Sequence, residues 1–158
     1  KGYAVEQAAR AAQARGLTSA LLNVGGNLRA IGTKAGGKPW TAGVENPWDD
    51  DPAYIQAVEL ADGDSLVISG DYQRYREWEG SRYHHIIDTR TGYPADSQFD
   101  HVTVLAEDAA LGDLLSTCLF LMDLPQGQAL AARAGVEVVW HTRQGETVLT
   151  DGAKALLQ

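Results

Sequence analysis

The sequence is poor in cysteine, in long apolar runs and in basic residues. Cys118 is the single cysteine among 158 residues, which excludes an internal disulfide framework and a CxxC metal site. Its place in the apolar run 114–122 favours a small buried residue over a nucleophile. Apolar runs stay well short of the ~18 residues that a transmembrane helix needs.

Charge is strongly one-sided, with 13 Lys and Arg against 21 Asp and Glu and a net charge of −8. Nucleic-acid binding depends on clustered cations that neutralise phosphates, so the sequence argues against a nucleic-acid partner. The excess of carboxylates also keeps a protein dispersed in water, and this is its simpler interpretation. The acidic run 49–51, in a loop at 46–52, is accordingly assigned to solvated surface without a ligand role.

What is present is the composition of an ordinary globular domain, with 44% hydrophobic and 22% charged residues. A chain of this length forms one compact domain with a sizeable core. Apolar spacing and breaker residues predict three main helices and a short last one, at 4–15, 109–122, 125–134 and 153–157. Strands are predicted at 19–24, 28–32, 40–45, 55–60, 65–68, 82–88, 101–106, 136–141 and 147–150.

Two pairs of these strands suggest hairpins, namely 55–60 with 65–68 and 136–141 with 147–150. Helices separated from runs of hairpin strands indicate an α+β fold, with a mostly antiparallel sheet and helices packed on it. The strand-rich middle argues against a doubly wound nucleotide-binding fold.

Two glycine-containing turns could approach a ligand. Gly25 and Gly26 follow a strand, where they allow either a close backbone approach or a plain β-turn. Ser69 and Gly70 also follow a strand, and backbone N–H groups of such a turn can hold a phosphate. A helix start capped by Ser69 or Asp71 explains the second turn equally well.

The segment 84–92 (HHIIDTRTG) is the most unusual stretch. Adjacent histidines on a strand point to opposite faces, so His84 and His85 cannot bind one metal together. One is expected to face the core or a site and the other solvent. Asp88 and Arg90 could serve a ligand, or could pair with each other and stiffen the loop.

Asp113 and Thr117 lie one turn apart on the apolar helix and therefore share a face. Burying a carboxylate is costly unless it is paired or binds a cation. Carboxylate and hydroxyl oxygens suit Mg²⁺, whereas the helix dipole could also favour Asp113 near the N-terminus. Spacing alone leaves both explanations open.

Taken in order, five segments resemble the ApbE family of FAD:protein FMN transferases. They are residues 1–6 (KGYAVE), 22–27 (LNVGGN), 69–75 (SGDYQRY), 84–94 (HHIIDTRTGYP) and 112–117 (GDLLST). The resemblance runs from Lys1 to about Thr150 and implies an ApbE, T-fold-like architecture for residues 1–158. It identifies the chain as the C-terminal portion of a flavin transferase domain whose N-terminal half is absent.

The resemblance also implies an activity and a site. Mg²⁺-dependent transfer of FMN from FAD to a Thr or Ser hydroxyl of an acceptor protein, with release of AMP, is the expected reaction. Asp113 and Thr117 match the metal-binding residues of the family. The catalytic histidine of the family corresponds to His85, to which we assign the role of base for the acceptor hydroxyl. The flavin-binding residues of the family correspond to Lys1, Ser69, Gly70, His85 and Ile87.

The expected partners are FAD and an acceptor redox protein with a Thr or Ser flavinylation site. Either a separate chain supplies the missing N-terminal half, or this chain is an incomplete piece of the enzyme. The expected location is periplasmic or extracytoplasmic, as a membrane-anchored lipoprotein. Glu6 and Thr89 replace the usual Asp and Pro of the family motifs. Two alternatives stay open, namely an Mg²⁺-dependent FAD pyrophosphatase that gives FMN and AMP, and a non-catalytic flavin-binding domain.

Overall fold

The computed structural model describes residues 1–46, 54–72 and 74–156. The acidic loop segment 49–51, Gln73 of the 69–75 motif and residue 157 of the last predicted helix lie outside the described residues. Within them there are four helices: α1 (Gly2–Ala14), α2 (Ala109–Leu121), α3 (Leu124–Ala134) and α4 (Asp151–Leu156). No helix in these parts of the chain is long and apolar enough to cross a membrane.

The strands are short and numerous. They are β1 (Ala20–Val24), β2 (Asn27–Ile31), β3 (Trp40–Glu45), β4 (Tyr54–Leu60), β5 (Ser65–Gly70), β6 (Tyr75–Trp78), β7 (Ser81–His84), β8 (Ile87–Asp88), β9 (Tyr93–Pro94), β10 (Phe99–Ala106), β11 (Glu137–Thr142) and β12 (Thr147–Leu149). Six of them form the main sheet in the order β1-β2-β5-β10-β11-β12, and every neighbouring pair is antiparallel. The predicted α+β class with a mostly antiparallel sheet is confirmed.

Three two-stranded sheets accompany the main sheet, formed by β3–β4, β6–β7 and β8–β9. The predicted hairpin between 55–60 and 65–68 is wrong, because β4 pairs with β3 whereas β5 pairs with β2 and β10. The predicted hairpin of β11 and β12 is confirmed. The single strand predicted over 82–88 is divided into β7 and β8.

The main sheet buries side chains on both of its faces. On β10, Val102 and Val104 pack with Leu119 and Phe120 of α2 and with Trp140 of β11. Leu105 points to the opposite face and belongs to a second cluster that includes residues of the β3–β4 hairpin, among them Val44, Val58 and Leu60. Alternation along each strand therefore divides one sheet between a helical layer and a hairpin layer.

Helix ends follow local sequence signals. Asp108 caps α2 by accepting hydrogen bonds from Ala110 N (2.8 Å) and Leu111 N (3.0 Å). Asp123 caps α3 in the same way, and Gly135 ends α3 in the left-handed conformation. These caps fix where α2 begins, and α2 carries the candidate metal-binding side chains. Cys118 is half-buried on this helix.

Candidate functional site

A cavity of about 570 Å³ lies where β5 ends, beside α2 and the turn between β1 and β2. Six of the seven predicted site residues line it: Lys1, Ser69, Gly70, His85, Asp113 and Thr117. Ile87 is not among the lining residues, and its side chain is 43% exposed. A neighbouring cavity of about 580 Å³ shares four lining residues with the first, Asn23, Leu28, Gly43 and Tyr54. The two cavities therefore form one continuous cleft.

Asp113 is held by donors from distant parts of the chain. Gly2 N donates to its Oδ2 at 2.9 Å. Burial opposes ionisation of Asp113, whereas the hydrogen bond from Gly2 N and the positive charge of the Lys1 side chain favour it and hold the pKa of the carboxyl below its usual range. The carboxylate is therefore charged at neutral pH.

Asn27 completes the surroundings of this carboxylate. It is fully buried. In the amide orientation that gives both its oxygen and its nitrogen a hydrogen-bond partner, the nitrogen donates to Asp113 Oδ1 at 3.1 Å. Its amide oxygen accepts from Lys1 Nζ at 3.0 Å, while Lys1 Nζ also donates to Gly25 O at 3.1 Å. A single ordered network thus links Lys1, Asn27 and Asp113.

Three hydroxyl groups lie beside Asp113. Ser69 Oγ is 2.8 Å from Ser116 Oγ and 3.3 Å from Thr117 Oγ1. Ser116 and Thr117 follow Asp113 by three and four residues on α2, so they share its face. Ser69 lies near the C-terminal end of β5. Its contacts with Ser116 and Thr117 connect the sheet to α2 at this point.

The donor set suits a hard cation that is shared with a phosphate-bearing ligand. Among the described residues there is no group of three His, Cys, Asp or Glu that could hold a metal. One carboxylate with neighbouring hydroxyls is nevertheless a typical protein contribution to Mg²⁺, which keeps waters and takes substrate phosphates as further ligands. Asp113 and Thr117 fit that role, with Ser69 and Ser116 in support.

The two glycine-containing turns both reach the cleft. Gly25 and Gly26 form the two-residue turn of the β1–β2 hairpin, with φ of 56° and 83°, and both line the cavity. The β-turn is therefore confirmed, and the approach of a ligand to these glycines stays a prediction. At Gly70 a Cβ would lie 2.8 Å from Asp100 O, so glycine lets β5 end against β10.

The alternative of a capped helix after Ser69 is wrong. The chain continues into strand β6, and Asp71 is buried in an ion pair with Arg143 at 2.6 Å. Asp71 therefore connects the turn after β5 to Arg143, which follows β11. Arg143 Nε also donates to Ser97 O at 2.7 Å, which holds the arginine in place.

The adjacent histidines separate as predicted. His84 is buried, with Nε2 3.0 Å from Ala95 O and its ring edge-on to Phe120. His85 lies on the other face and lines the cavity, with Nδ1 3.3 Å from Arg74 O. A carbonyl partner is an acceptor, so Nδ1 carries the proton of the neutral ring and Nε2 keeps a free lone pair.

Asp88 and Arg90 pair with each other, as one of the two interpretations proposed. Arg90 Nε and Nη2 donate to the Asp88 carboxylate at 3.0 Å and 2.8 Å. These hydrogen bonds lower the pKa of Asp88. Neither residue lines the cleft, so the pair stiffens the loop before Gly92.

Sequence reasoning missed the cleft residues Asn23, Tyr54 and Arg74. It also missed Asn27, which is buried and contacts Asp113. Asn23 stands beside the two glycines of the 22–27 motif, and that position was a usable signal. Arg74 follows the Ser-Gly turn and could have been inferred from that position. Tyr54 carried no signal, because it reaches the cleft only through the pairing of β4 with β3.

Comparison with known proteins agrees with this architecture. The model of the ApbE family matches residues 1–140. A FAD:protein FMN transferase of Klebsiella pneumoniae (strain 342) is 35% identical over 151 residues, which are 95% of this chain and 46% of that protein. A FAD:protein FMN transferase of Escherichia coli (strain K12) is 33% identical over 150 residues, again 95% of this chain and 42% of that protein.

Solved structures give the same result. The ApbE protein of Thermotoga maritima superposes with a TM-score of 0.89 at 35% identity, covering 98% of this chain and 50% of that one. The flavin transferase ApbE of Vibrio cholerae superposes with a TM-score of 0.82 at 30% identity, covering 99% and 50%. The chain thus spans less than half the length of these curated relatives and half of the solved chains.

Proposed function

The chain belongs to the ApbE family, and from that membership we propose that it forms the part of a flavin transferase that carries the phosphate-side chemistry. The reaction is transfer of FMN from FAD to a Thr or Ser hydroxyl of an acceptor protein, with AMP released. The observation that carries the proposal is the cleft that brings Asp113, Thr117 and His85 together.

The bonding changes are simple. The acceptor oxygen forms a bond to the FMN-side phosphorus, and the bond between that phosphorus and the bridging oxygen of the pyrophosphate breaks. The hydroxyl proton leaves to a base, and AMP departs with the bridging oxygen. Such transfers need positioning and charge neutralisation more than covalent help from the protein.

Asp113 and Thr117 would hold Mg²⁺ against the pyrophosphate, with Ser69 alongside. When bound, Mg²⁺ supplies neutralisation of the charge that develops on the departing phosphate. Lys1 contributes a further positive charge within the same network, and the Gly25–Gly26 turn leaves room for a ligand to approach the backbone. The cleft is thereby suited to an anionic, phosphate-bridged substrate.

His85 is the base in this proposal. Its Nε2 is available because Nδ1 is engaged by Arg74 O, and the residue lines the same cavity as Asp113 and Thr117. General base catalysis of this kind contributes roughly 10²–10⁴-fold to a rate. His85→Ala is expected to slow transfer by that factor while FAD binding persists.

The test follows the products. Full-length protein is incubated with FAD, Mg²⁺ and an acceptor protein or peptide, and the acceptor is examined for covalent flavin fluorescence while AMP and free FMN are separated by chromatography. Flavinylated acceptor with an equal amount of AMP supports transfer. Free FMN and AMP in its place identify a pyrophosphatase, and intact FAD with binding alone identifies a non-catalytic flavin-binding domain.

Asp113→Asn tests the metal role. We expect loss of transfer and of Mg²⁺-dependent FAD affinity, since the amide removes the charge at this position. Asp151→Asn is the matched control, because Asp151 is an exposed carboxylate on α4 whose ion pair among the described residues is with Lys154 at 2.8 Å. Equal activity of the two variants would remove Asp113 from the proposed metal site.

A further inference from the structure

The β6–β7 hairpin projects from the rim of the cleft with most of its side chains in solvent. Every residue of β6 is exposed, as are the first three of β7. Trp78 is 68% exposed and Tyr83 41% exposed. Large aromatic side chains at this level of exposure on a short two-stranded ribbon contribute little to the folding of the chain.

The register of the hairpin sorts its side chains into two faces. Arg76 is opposite Tyr83, and Trp78 is opposite Ser81. One step before the first pair, His85 N donates to Arg74 O at 3.2 Å, which extends the same pairing to the cavity. Because side chains alternate along a strand, Arg74, Arg76, Trp78, Tyr83 and His85 lie on one face, called here the His85 face.

The His85 face carries positive charge that the described residues do not neutralise. No carboxylate among them lies within ion-pair distance of Arg74 or Arg76. On the opposite face, Arg82 covers the ring of Tyr75 at 4.1 Å and stands opposite Glu77. Two guanidinium groups on one face of the hairpin thus have no ion pair with any described residue, in a chain whose net charge is −8.

The His85 face is continuous with the cleft. A shallow depression of about 360 Å³ is lined by four residues of the His85 face, Arg74, Arg76, Tyr83 and His85, together with Tyr75 and His84 of the opposite face. Two of these residues, Arg74 and His85, also line the main cavity. A bound polypeptide segment that extends out of the cavity at His85 would therefore contact Arg76 and Tyr83 next.

We propose that the His85 face of the β6–β7 hairpin docks the acceptor protein through an extended, acidic segment next to the hydroxyl that receives FMN. This inference rests on the proposed function and assigns the partner surface of the same site. Carboxylates of the segment meet Arg74 and Arg76, and its apolar side chains contact Trp78 and Tyr83. Exposed aromatic and arginine side chains are typical anchors of a protein interface.

The dimensions define which acceptor residues take part. A strand advances about 3.3 Å per residue, so the four residues of β6 span roughly 13 Å. An extended segment with its hydroxyl at His85 places residues two to four positions away over Arg76 and Trp78. Acidic residues at those positions are therefore the chemistry that this face selects.

The experiment measures docking separately from transfer. Three fluorescent peptides share a central threonine and apolar residues, and differ only in flanking Asp and Glu, Asn and Gln, or Lys. Binding to full-length protein is followed by anisotropy at low salt, and FMN transfer to each peptide is measured in parallel. We expect the acidic peptide to bind at least about fivefold more tightly than the amide peptide, and salt to reduce the difference.

Charge reversal gives the decisive comparison. Arg76→Glu is expected to abolish the preference for the acidic peptide and to favour the lysine peptide, while FAD affinity stays unchanged. Lys38→Glu makes the same change in net charge on an exposed turn outside the cavities, and it should keep the preference. Trp78→Ala should weaken the binding of all three peptides and leave the order of their affinities unchanged.

The outcomes separate the two proposals. Preferential binding of the acidic peptide without transfer to any acceptor supports the docking surface and contradicts the flavin transferase. Transfer with no difference among the peptides, or the same response in Arg76→Glu and Lys38→Glu, overturns the docking surface and leaves the transferase intact. Failure of all three peptides to bind at millimolar concentration also overturns it, as does displacement of the acidic peptide by single-stranded DNA.

Discussion

At the scale of single residues, the position of Asp113 depends on how closely α1 approaches α2. Gly2 stands at the contact between the two helices, and its backbone nitrogen is one of the donors to Asp113. A Cβ at position 2 would overlap the carbonyl oxygen of Ala109 and the Cβ of Asp113. The absence of a side chain at Gly2 is therefore a condition for the geometry of the proposed metal ligand.

Gly2→Ala is expected to destabilise the fold by about 1–3 kcal/mol, the usual cost of overpacking a tight contact. It should also weaken Mg²⁺-dependent FAD binding, because Asp113 must shift. Urea denaturation and flavin titration measure the two effects. Gly127→Ala on α3 is the matched control, since its Cβ would meet Leu119 and Trp140 at an ordinary 3.5 Å. That variant should gain up to about 1 kcal/mol from helix propensity, and an equal loss in both would contradict the steric argument.

Residue-level sequence reasoning succeeded where a simple periodicity applied. Strand alternation was enough to place His84 and His85 on opposite faces, and helix spacing to place Asp113 and Thr117 on one. It could not identify Asn27, because the hydrogen bonds of that amide join β2 to α1 and α2 across the tertiary structure. A contact between residues 27 and 113 has no local signature in the sequence.

At the scale of elements, a buried ion pair connects α1, β2 and the start of α2. Glu6 is 2% exposed and accepts hydrogen bonds from Arg29 Nε at 2.8 Å and from Ala109 N at 3.0 Å. Its other oxygen accepts from Arg10 Nε at 2.8 Å. Burial raises the pKa of Glu6, but these donors have the larger, opposite effect and lower the pKa to about 2. One carboxylate thus fixes the relative placement of three elements that frame the cleft.

Glu6→Gln is expected to cost roughly 3–5 kcal/mol, since it leaves the buried Arg29 guanidinium without its counter-charge. Chemical denaturation at neutral pH measures the loss. Glu6→Asp keeps the charge and shortens the arm, so an intermediate loss is expected. A loss in Glu6→Gln no larger than that of the surface variant Asp151→Asn would show that the ion pair contributes nothing to stability.

Element types were read correctly where the local pattern was strong, as in α2 and β10. Pairing was harder, because the turn at 62–64 suggested that β4 and β5 form a hairpin. In the structure Gly63 N donates to Ala30 O at 3.2 Å, so this turn packs on β2, while β4 leaves the sheet to pair with β3. Strand β6 was missed because its short, charged sequence has no buried face to impose alternation.

At the scale of the whole molecule, the cleft exists because residues from widely separated parts of the chain converge. Its walls come from Lys1, the β1–β2 turn, the β3–β4 hairpin, the end of β5, the segments that flank the β6–β7 hairpin, and α2. The family motifs predict that most of these segments contribute to one site. They do not predict the strand order β1-β2-β5-β10, which makes the segments neighbours in the structure. The motifs 69–75 and 84–94 contain four of the six residues that line the depression on the β6–β7 hairpin, but they do not predict the pairing of β6 with β7 that forms it.

The stability of the whole molecule is expected to fall as pH decreases, over two ranges that overlap below about pH 4.5. His101 and His141 stack at 4.1 Å between β10 and β11, and burial lowers the pKa of His101 to about 3 and that of His141 to about 4. Both rings are neutral in the folded state and gain protons on unfolding. Their contribution is complete above the ordinary pKa near 6.5 and is lost as pH falls toward 4. Each proton contributes a slope of about 1.4 kcal/mol per pH unit.

Glu6 acts in the lower window, since a carboxylate with a lowered pKa stabilises the fold above about 4.5 and loses that effect as pH falls toward 2. Urea denaturation at half-unit steps from pH 7.5 to 3.5 should therefore show a slope that begins near pH 6.5 and continues below 4.5. His141→Gln should reduce the slope between pH 6.5 and 5 while leaving the part below 4.5, which Glu6→Gln should reduce instead. A wild-type stability that stays flat from pH 7 to 5 would mean that the stacked histidines accept protons within the folded structure, and the neutral pair between β10 and β11 would have to be abandoned.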